Sequence, residues 1–231
     1  MKKVGLVGGM SPESTMAYYH DIIYGVQQYV GYDFFPDVAV ESINLFKWVE
    51  LCEKKEYDKL IAYTLKPIQQ LAAGGADFAV LTANTAHIIF DEVQKHSPIP
   101  LLSIVETTAV EAARRSYRKV GLLGTNFTMK NSFFKQPFYR KKIDVITPSD
   151  KDMDFIHKKI YQELVQGVVR EETHQKIIAI AEKLVKDKQV QSIILGCTEL
   201  PMILQDGNIS VPCLNTVQIH IHEIIRYMMR E

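Results

Sequence analysis

Short apolar runs alternate with longer amphipathic stretches along the whole chain. Strands are expected at Val4 to Val7, Val38 to Ile43, Phe78 to Leu81 and Leu101 to Ile104. A second set follows at Val120 to Leu123, Val145 to Thr147, Ser192 to Leu195 and Val211 to Leu214. The segments between them read as helices. From Lys176 to Lys186, residues Ile177, Ile180, Ala181 and Leu184 share one face at helical spacing, and Thr173 upstream is a candidate cap. Pro67 falls inside the helical pattern between Tyr57 and Ala73 and predicts a kink or break there. Thr216 to Met229 is helical in pattern. Strand followed by helix, repeated, is the signature of βαβ units with parallel sheets and right-handed crossovers.

The pattern is written twice. Val4-Gly-Leu-Val-Gly8-Gly9 returns as Val120-Gly-Leu-Leu-Gly124-Thr125, and Leu81-Thr-Ala83-Asn84-Thr85 as Leu195-Gly-Cys197-Thr198-Glu199. Ile99-Pro100-Leu-Leu102-Ser103 returns as Val211-Pro212-Cys-Leu214-Asn215. The offsets are 116, 114 and 112 residues, in one order. The expected fold class is therefore α/β: two pseudo-symmetric, doubly wound lobes, each a mostly parallel sheet flanked by helices. Residues 1–100 with 215–231 are expected to form the first lobe and 101–214 the second, with an active site in the cleft between them.

Composition narrows the function classes. The 231 residues carry 27 basic and 27 acidic side chains and no net charge, and no basic stripe is interleaved with aromatics, so nucleic acid is not an expected partner. No apolar run has the roughly 18 residues needed to span a bilayer, and the first residues lack a signal-peptide core. Three irregularly spaced cysteines give no disulfide framework, which makes a reduced, cytoplasmic setting the expectation.

Ligands of open α/β sheets bind beyond the carboxyl ends of the strands. The residues standing there are Gly8, Gly9, Met10 and Ser11; Thr82, Ala83, Asn84 and Thr85; Gly124, Thr125, Asn126 and Thr128; and Gly196, Cys197, Thr198 and Glu199. Cys197 ends an apolar strand ahead of an expected helix start, where a helix N-terminus would lower its pKa and favour thiolate. Read functionally it is an acid/base or nucleophilic thiol; read structurally it is a small buried apolar group. Cys52 and Cys213 read as structural. Asn84 and Thr85, opposite Thr198 and Glu199 in the repeat, suit carboxylate binding or ordinary capping equally. Thr125, Asn126 and Thr128 have the same two readings. His87 can act behind the site or be a satisfied buried histidine. His220 and His222 stand two apart, so on a helix they do not share a face, and no metal set is expected. Gly5, Gly8 and Gly9 do not have the GxGxxG spacing of a dinucleotide site. Arg114 and Arg115 read as surface residues.

These motifs resemble the aspartate/glutamate racemase family. The resemblance is carried by Gly5-Leu-Val-Gly-Gly-Met-Ser11, Asn84-Thr-Ala-His87, Gly124-Thr-Asn-Phe-Thr-Met129, Gly196-Cys-Thr-Glu-Leu200 and Leu214-Asn-Thr216 with Ile219-His220, in order over the whole chain. It implies a cofactor-independent amino-acid racemase, a small amino or dicarboxylic acid as ligand, and a homodimer. Such enzymes hold one cysteine per lobe on opposite faces of the α-carbon. Cys197 matches the second-lobe cysteine; the first-lobe position is Ala83, and Asn215 stands where relatives often have aspartate. The resemblance makes Cys197 the acid/base group, with Thr82, Thr85, His87 or a water as the substitute for the absent first thiol. A one-cysteine decarboxylase or isomerase of a small carboxylic acid is the alternative enzyme, and a non-catalytic amino-acid-binding module the alternative outside enzymes.

Overall fold

The computed structural model describes residues 1–230, and its eight strands form two separate four-stranded parallel sheets. The first half runs β1 (Val4–Gly8), α1 (Pro12–Val30), β2 (Val38–Ser42), α2 (Leu45–Glu53), α3 (Tyr57–Ala73), β3 (Phe78–Leu81), a 3-10 turn (Thr85–Ile89), α4 (Phe90–His96), β4 (Leu101–Leu102) and α5 (Ile104–Arg114). The second runs β5 (Lys119–Leu123), α6 (Asn126–Lys130), α7 (Ser132–Arg140), β6 (Asp144–Ile146), α8 (Asp150–Gln162), α9 (Glu171–Lys188), β7 (Ile193–Leu195), a 3-10 turn (Leu200–Met202), β8 (Cys213–Asn215) and α10 (Thr216–Met228). The strand orders are β2-β1-β3-β4 and β6-β5-β7-β8. This is one topology used twice, as the repeat requires, and the fold class is α/β.

The chain divides into two compact units. One comprises Met1–Ile104 together with the chain from His220 onward; the other is Val105–Ile219. Central strands of a parallel sheet are covered on both faces and read as continuous apolar runs. Accordingly β1 and β3 are buried throughout and β5 nearly so, whereas the edge strands β2 and β6 are partly exposed. In the second unit Ile177, Ile180, Ala181 and Leu184 of α9 pack with Leu123, Ile156, Ile160, Ile193 and Leu195, the face that the helical spacing predicts. Each such aliphatic side chain contributes roughly 1.5–3 kcal/mol on burial.

Four local expectations need correction. The α3 helix is continuous over 57–73 despite Pro67, which is buried. Proline removes one hydrogen bond, and Leu60, Thr64, Ile68 and Leu71 hold the helix in place by packing on either side. Thr173 is the third residue of α9 and buried, so it is not the cap; Arg170 takes that place without a side-chain bond. Strand β4 stops at Leu102 because Ile104 already opens α5, and β8 begins at Cys213 rather than Val211. Pro212 has no N–H, but its carbonyl still accepts from Ile193 N–H (3.1 Å) and Ser192 Oγ (2.8 Å). No helix of the described residues is long and apolar enough to cross a membrane.

Candidate functional site

Both strand orders reverse direction between the first and third strands of the unit, and the crevice outside that switch point is where open α/β sheets bind ligands. In the first unit the switch lies between β1 and β3. Gly9, Met10 and Ser11 follow β1, and Thr82, Ala83, Asn84 and Thr85 follow β3. In the second it lies between β5 and β7, so Thr125, Asn126 and Thr128 stand beside Cys197, Thr198 and Glu199. Each unit thus gathers its own share of the predicted residues at one sheet edge.

The first edge is built by interlocking polar groups. Ser11 caps α1 by accepting from Ser14 N–H at 3.2 Å, and Ser14 Oγ donates to the Thr82 carbonyl at 2.7 Å. Gly9 has φ +81°, and a Cβ there would lie 2.3 Å from the Ile43 carbonyl oxygen. Only glycine lets the β1 turn pass so close to the end of β2. Thr82 is fully buried and its hydroxyl donates to the Val7 carbonyl at 3.1 Å. Its one proton is committed between β1 and β3. Ala83 is partly buried, Asn84 is buried, and Thr85 opens the 3-10 turn.

His87 sits behind Ala83. Its Nδ1 lies 3.0 Å from the Ala83 carbonyl, and its Nε2 accepts from Ile104 N–H at 3.3 Å. The ring is therefore neutral with the proton on Nδ1, and it ties the loop after β3 to the start of α5. Burial lowers its pKa to about 4. Sequence reasoning missed the group behind it. His220 Nε2 donates to the Leu102 carbonyl (3.0 Å), leaving Nδ1 to accept from Tyr18 Oη (2.8 Å), and burial drives His220 to about 3. Burial likewise raises the Tyr18 phenol. His222 is exposed, and among the described residues no group of three ligating side chains is placed to hold a metal.

The second edge follows the same plan with different chemistry. Thr125 caps α6, accepting from Thr128 N–H at 3.3 Å as Ser11 does for α1. A Cβ on Gly196 would meet the Leu123 carbonyl at 2.9 Å, so glycine allows the loop after β7 to close on β5. Asn126 donates from Nδ2 to Asp154 of α8 at 2.7 Å, which commits half of its amide to that helix. Cys197 is partly buried and donates from Sγ to Glu199 Oε2 at 2.8 Å. The expected lowering of its pKa does not occur. The thiol is raised well above its usual value, first by burial, then by the charge of Glu199 and the hydrogen bond to it; backbone N–H groups of Glu199 and Thr198 oppose this only in part. The segment after it is a three-residue 3-10 turn, not an α-helix, so no macrodipole of useful size points at the sulfur. Asn215 at the end of β8 caps α10, accepting from Val217 and Gln218 N–H at 3.1 and 3.2 Å.

The remaining cysteines differ from Cys197. Cys52 is buried in α2, and Cys213 lies within β8 with its thiol pushed up to about 11 by burial and by Asp206. Arg114 and Arg115 both pair with Glu111 on α5.

A family model described as Asp/Glu/Hydantoin racemase matches residues 7–224. A Yersinia pestis protein proposed to be an Asp/Glu racemase has a similar structure, with TM-score 0.94, 31% identity and 100% of each chain covered. An aspartate racemase homologue from Pyrococcus horikoshii gives TM-score 0.88 at 30% identity, again over 100% of both chains. The broad specificity amino-acid racemase RacX of Bacillus subtilis is 23% identical over 225 residues, 92% of each sequence. With the motifs, the doubled topology and the whole-chain match in agreement, this chain belongs to the Asp/Glu/hydantoin racemase family.

Proposed function

We propose that the chain is a cofactor-independent amino-acid isomerase in which Cys197 exchanges the α-proton of a small amino acid and Glu199 is the reservoir for the thiol proton. The observation that carries this reading is the 2.8 Å hydrogen bond from Cys197 Sγ to the Glu199 carboxylate at the carboxyl end of β7. The resting group is a protonated thiol. To act as a base it passes its proton to Glu199, and the thiolate then takes the α-proton; the reverse order returns a proton to the same face. The carbanion needs donors around the substrate carboxylate. Ser11, Asn84, Thr85, Thr125 and Thr198 are the residues we assign to that role, with Met10 as an apolar wall.

The reading asks that one bound acid meet Cys197 on one side and Ala83 on the other, as the family resemblance implies. Ala83 has no proton to exchange. The Thr82 hydroxyl is committed to Val7, and both ring nitrogens of His87 are engaged by backbone. A far-side proton must then come from solvent, and inversion is slower than exchange. Incubating each enantiomer of a panel of amino acids in deuterated water tests this. Appearance of α-deuterium, with inversion lagging behind it and both lost in Cys197→Ala, is the expected result. No α-deuterium and no inversion with any of them overturns the proposal.

Ala83 also favours a second reading, an isomerase or decarboxylase of a small carboxylic acid. There an enolate forms first and one thiol protonates it from a single face. Turnover of a substituted malonate or of maleate, with no exchange at any amino-acid α-carbon, is the result that selects it. Saturable binding of an amino acid with no chemistry at all would instead identify a binding module.

A further inference from the structure

The turn after β5 holds a side-chain amide whose two ends meet different surroundings. Asn126 Nδ2 donates to Asp154 Oδ1 of α8 at 2.7 Å, whereas Asn126 Oδ1 is buried and accepts no hydrogen bond from any described residue. Asp154 is exposed and also accepts from Lys130 Nζ at 3.1 Å. The hydrogen bonds from Asn126 and Lys130 hold its carboxyl below the usual carboxylate range, so at neutral pH it is ionised and accepts only. An amide facing such a group must present its NH₂ end. Asp154 thereby decides which way the Asn126 side chain points, and the oxygen is the end turned inward. The backbone is held too, by a longer bond of 3.4 Å from Asn126 N–H to His157 Nδ1.

The local fold does not ask for an amide at this place. At the offset of 116 residues Asn126 answers to Met10, an apolar side chain. Nor do the neighbours supply the missing donor. The Thr125 and Thr128 hydroxyls share a hydrogen bond at 3.3 Å, and the Cys197 thiol donates to Glu199. The turn borders the one that carries Cys197. A Cβ on Gly124 would lie 3.1 Å from the Gly196 carbonyl oxygen, and one on Gly196 would lie 3.2 Å from Thr128 Cγ2. One edge of the second unit thus offers an inward amide oxygen together with the Glu199 carboxylate, with which no lysine or arginine pairs among the described residues. Both attract a cationic donor. A carboxylate there would set acceptor against acceptor, and a buried acceptor left without a donor is costly.

On the reading that Cys197 works on a small acid bound at this edge, we propose that Asn126 is a specificity residue whose Oδ1 accepts from the substrate's α-ammonium group, and that Asp154 is the positioning residue that keeps this oxygen turned toward it. Asn126 then serves the opposite end of the substrate from the carboxylate. The pair selects amino acids over the same acids without the amino group, because only an ammonium brings a charged donor to the oxygen. It also separates the substrate classes chemically: malonate and maleate, fully ionised, have no proton to give.

Protection of Cys197 from iodoacetamide tests this without requiring turnover. The full chain is alkylated at pH 8 with alanine, aspartate, glutamate or lysine present, each as both enantiomers, or with propionate, succinate, glutarate or 6-aminohexanoate, which lack the α-amino group. Label at Cys197 is read by peptide mass. The best-protecting amino acid is expected to act at a concentration about tenfold or more below that of its analogue, the usual effect of one hydrogen bond to a charged group. Asn126→Ala and Asp154→Asn are each expected to abolish that difference, with protection by the analogue and far-ultraviolet circular dichroism unchanged. Asp154→Asn is the sharper variant, because a neutral amide of the same size can donate as well as accept and lets Asn126 turn over. Analogues that protect the wild type as well as the amino acids do overturn the proposal and leave an acid site at Cys197 standing. A folded Asn126→Ala that keeps the preference overturns the ammonium contact, and a folded Asp154→Asn that keeps it overturns the positioning role. No protection by any of these compounds refutes the acid site itself and the proposal with it.

Discussion

Mild acid should weaken the first unit through the two buried histidines behind Ala83. Both are held neutral in the fold, His87 at about 4 and His220 at about 3, against about 6.5 when unfolded. A depressed histidine pKa means that the unfolded chain binds protons first as pH falls. The stabilisation is complete above about pH 6.5, declines below it, and is exhausted near the folded values. From pH 7 to pH 5 each histidine costs about 2 kcal/mol, so the pair costs about 4 kcal/mol. Carboxylates with lowered pKa, such as Glu111 at about 2, act at lower pH and leave this window clear. Trp48 is the one tryptophan of the chain and is buried in α2, so its fluorescence reports the first unit. With a urea m-value of about 2 kcal/mol per molar, the midpoint should fall by about 2 M between pH 7 and 5. His87→Gln or His220→Gln should each remove about half of that pH slope. A midpoint that does not move, or a double variant with the full slope, would refute the assignment of neutral, hydrogen-bonded rings.

Three other outcomes are expected. Glu199→Gln removes the charge that holds the thiol protonated, so alkylation of Cys197 by iodoacetamide at pH 8 should speed up several-fold while α-proton exchange falls; an unchanged alkylation rate would detach Glu199 from the thiol. Ala83→Cys should raise inversion relative to exchange by about 10²-fold, the lower end of what a positioned acid or base contributes; a folded variant with no gain contradicts the proposed far-side position. Gly9→Ala should cost at least about 2 kcal/mol, since a left-handed alanine alone costs about 1–2 and its Cβ would meet the Ile43 carbonyl at 2.3 Å; unfolding by Trp48 fluorescence measures it, and a loss below half a kcal/mol would be the contrary result.

The doubled α/β pattern was legible because parallel strands buried on both faces must be apolar runs, and the repeat doubles that signal. Gly9 and Ser11 could be placed for the same reason, since glycine turns and capping hydroxyls act within a few residues. What depended on distant groups could not be read. The environment of Cys197 is set by burial and by how Glu199 folds back onto the sulfur, and a helix-start pattern pointed the other way. Tyr18 and His220 are 202 residues apart, and neither carries a local mark of the other. Pro67 failed as a breaker because flanking side chains outweigh one missing hydrogen bond.

The first unit is interrupted by the whole of the second, and its closing piece, from His220, is made after it. On a ribosome adding ~5–20 residues per second, Tyr18 waits roughly 10–40 s for the imidazole that accepts its hydrogen bond. The second unit lies wholly upstream of that piece as one contiguous segment, Val105–Ile219. Nascent chains halted before His220 would therefore hold a first unit without the residue that accepts from Tyr18, a species for chaperones and proteases to sort.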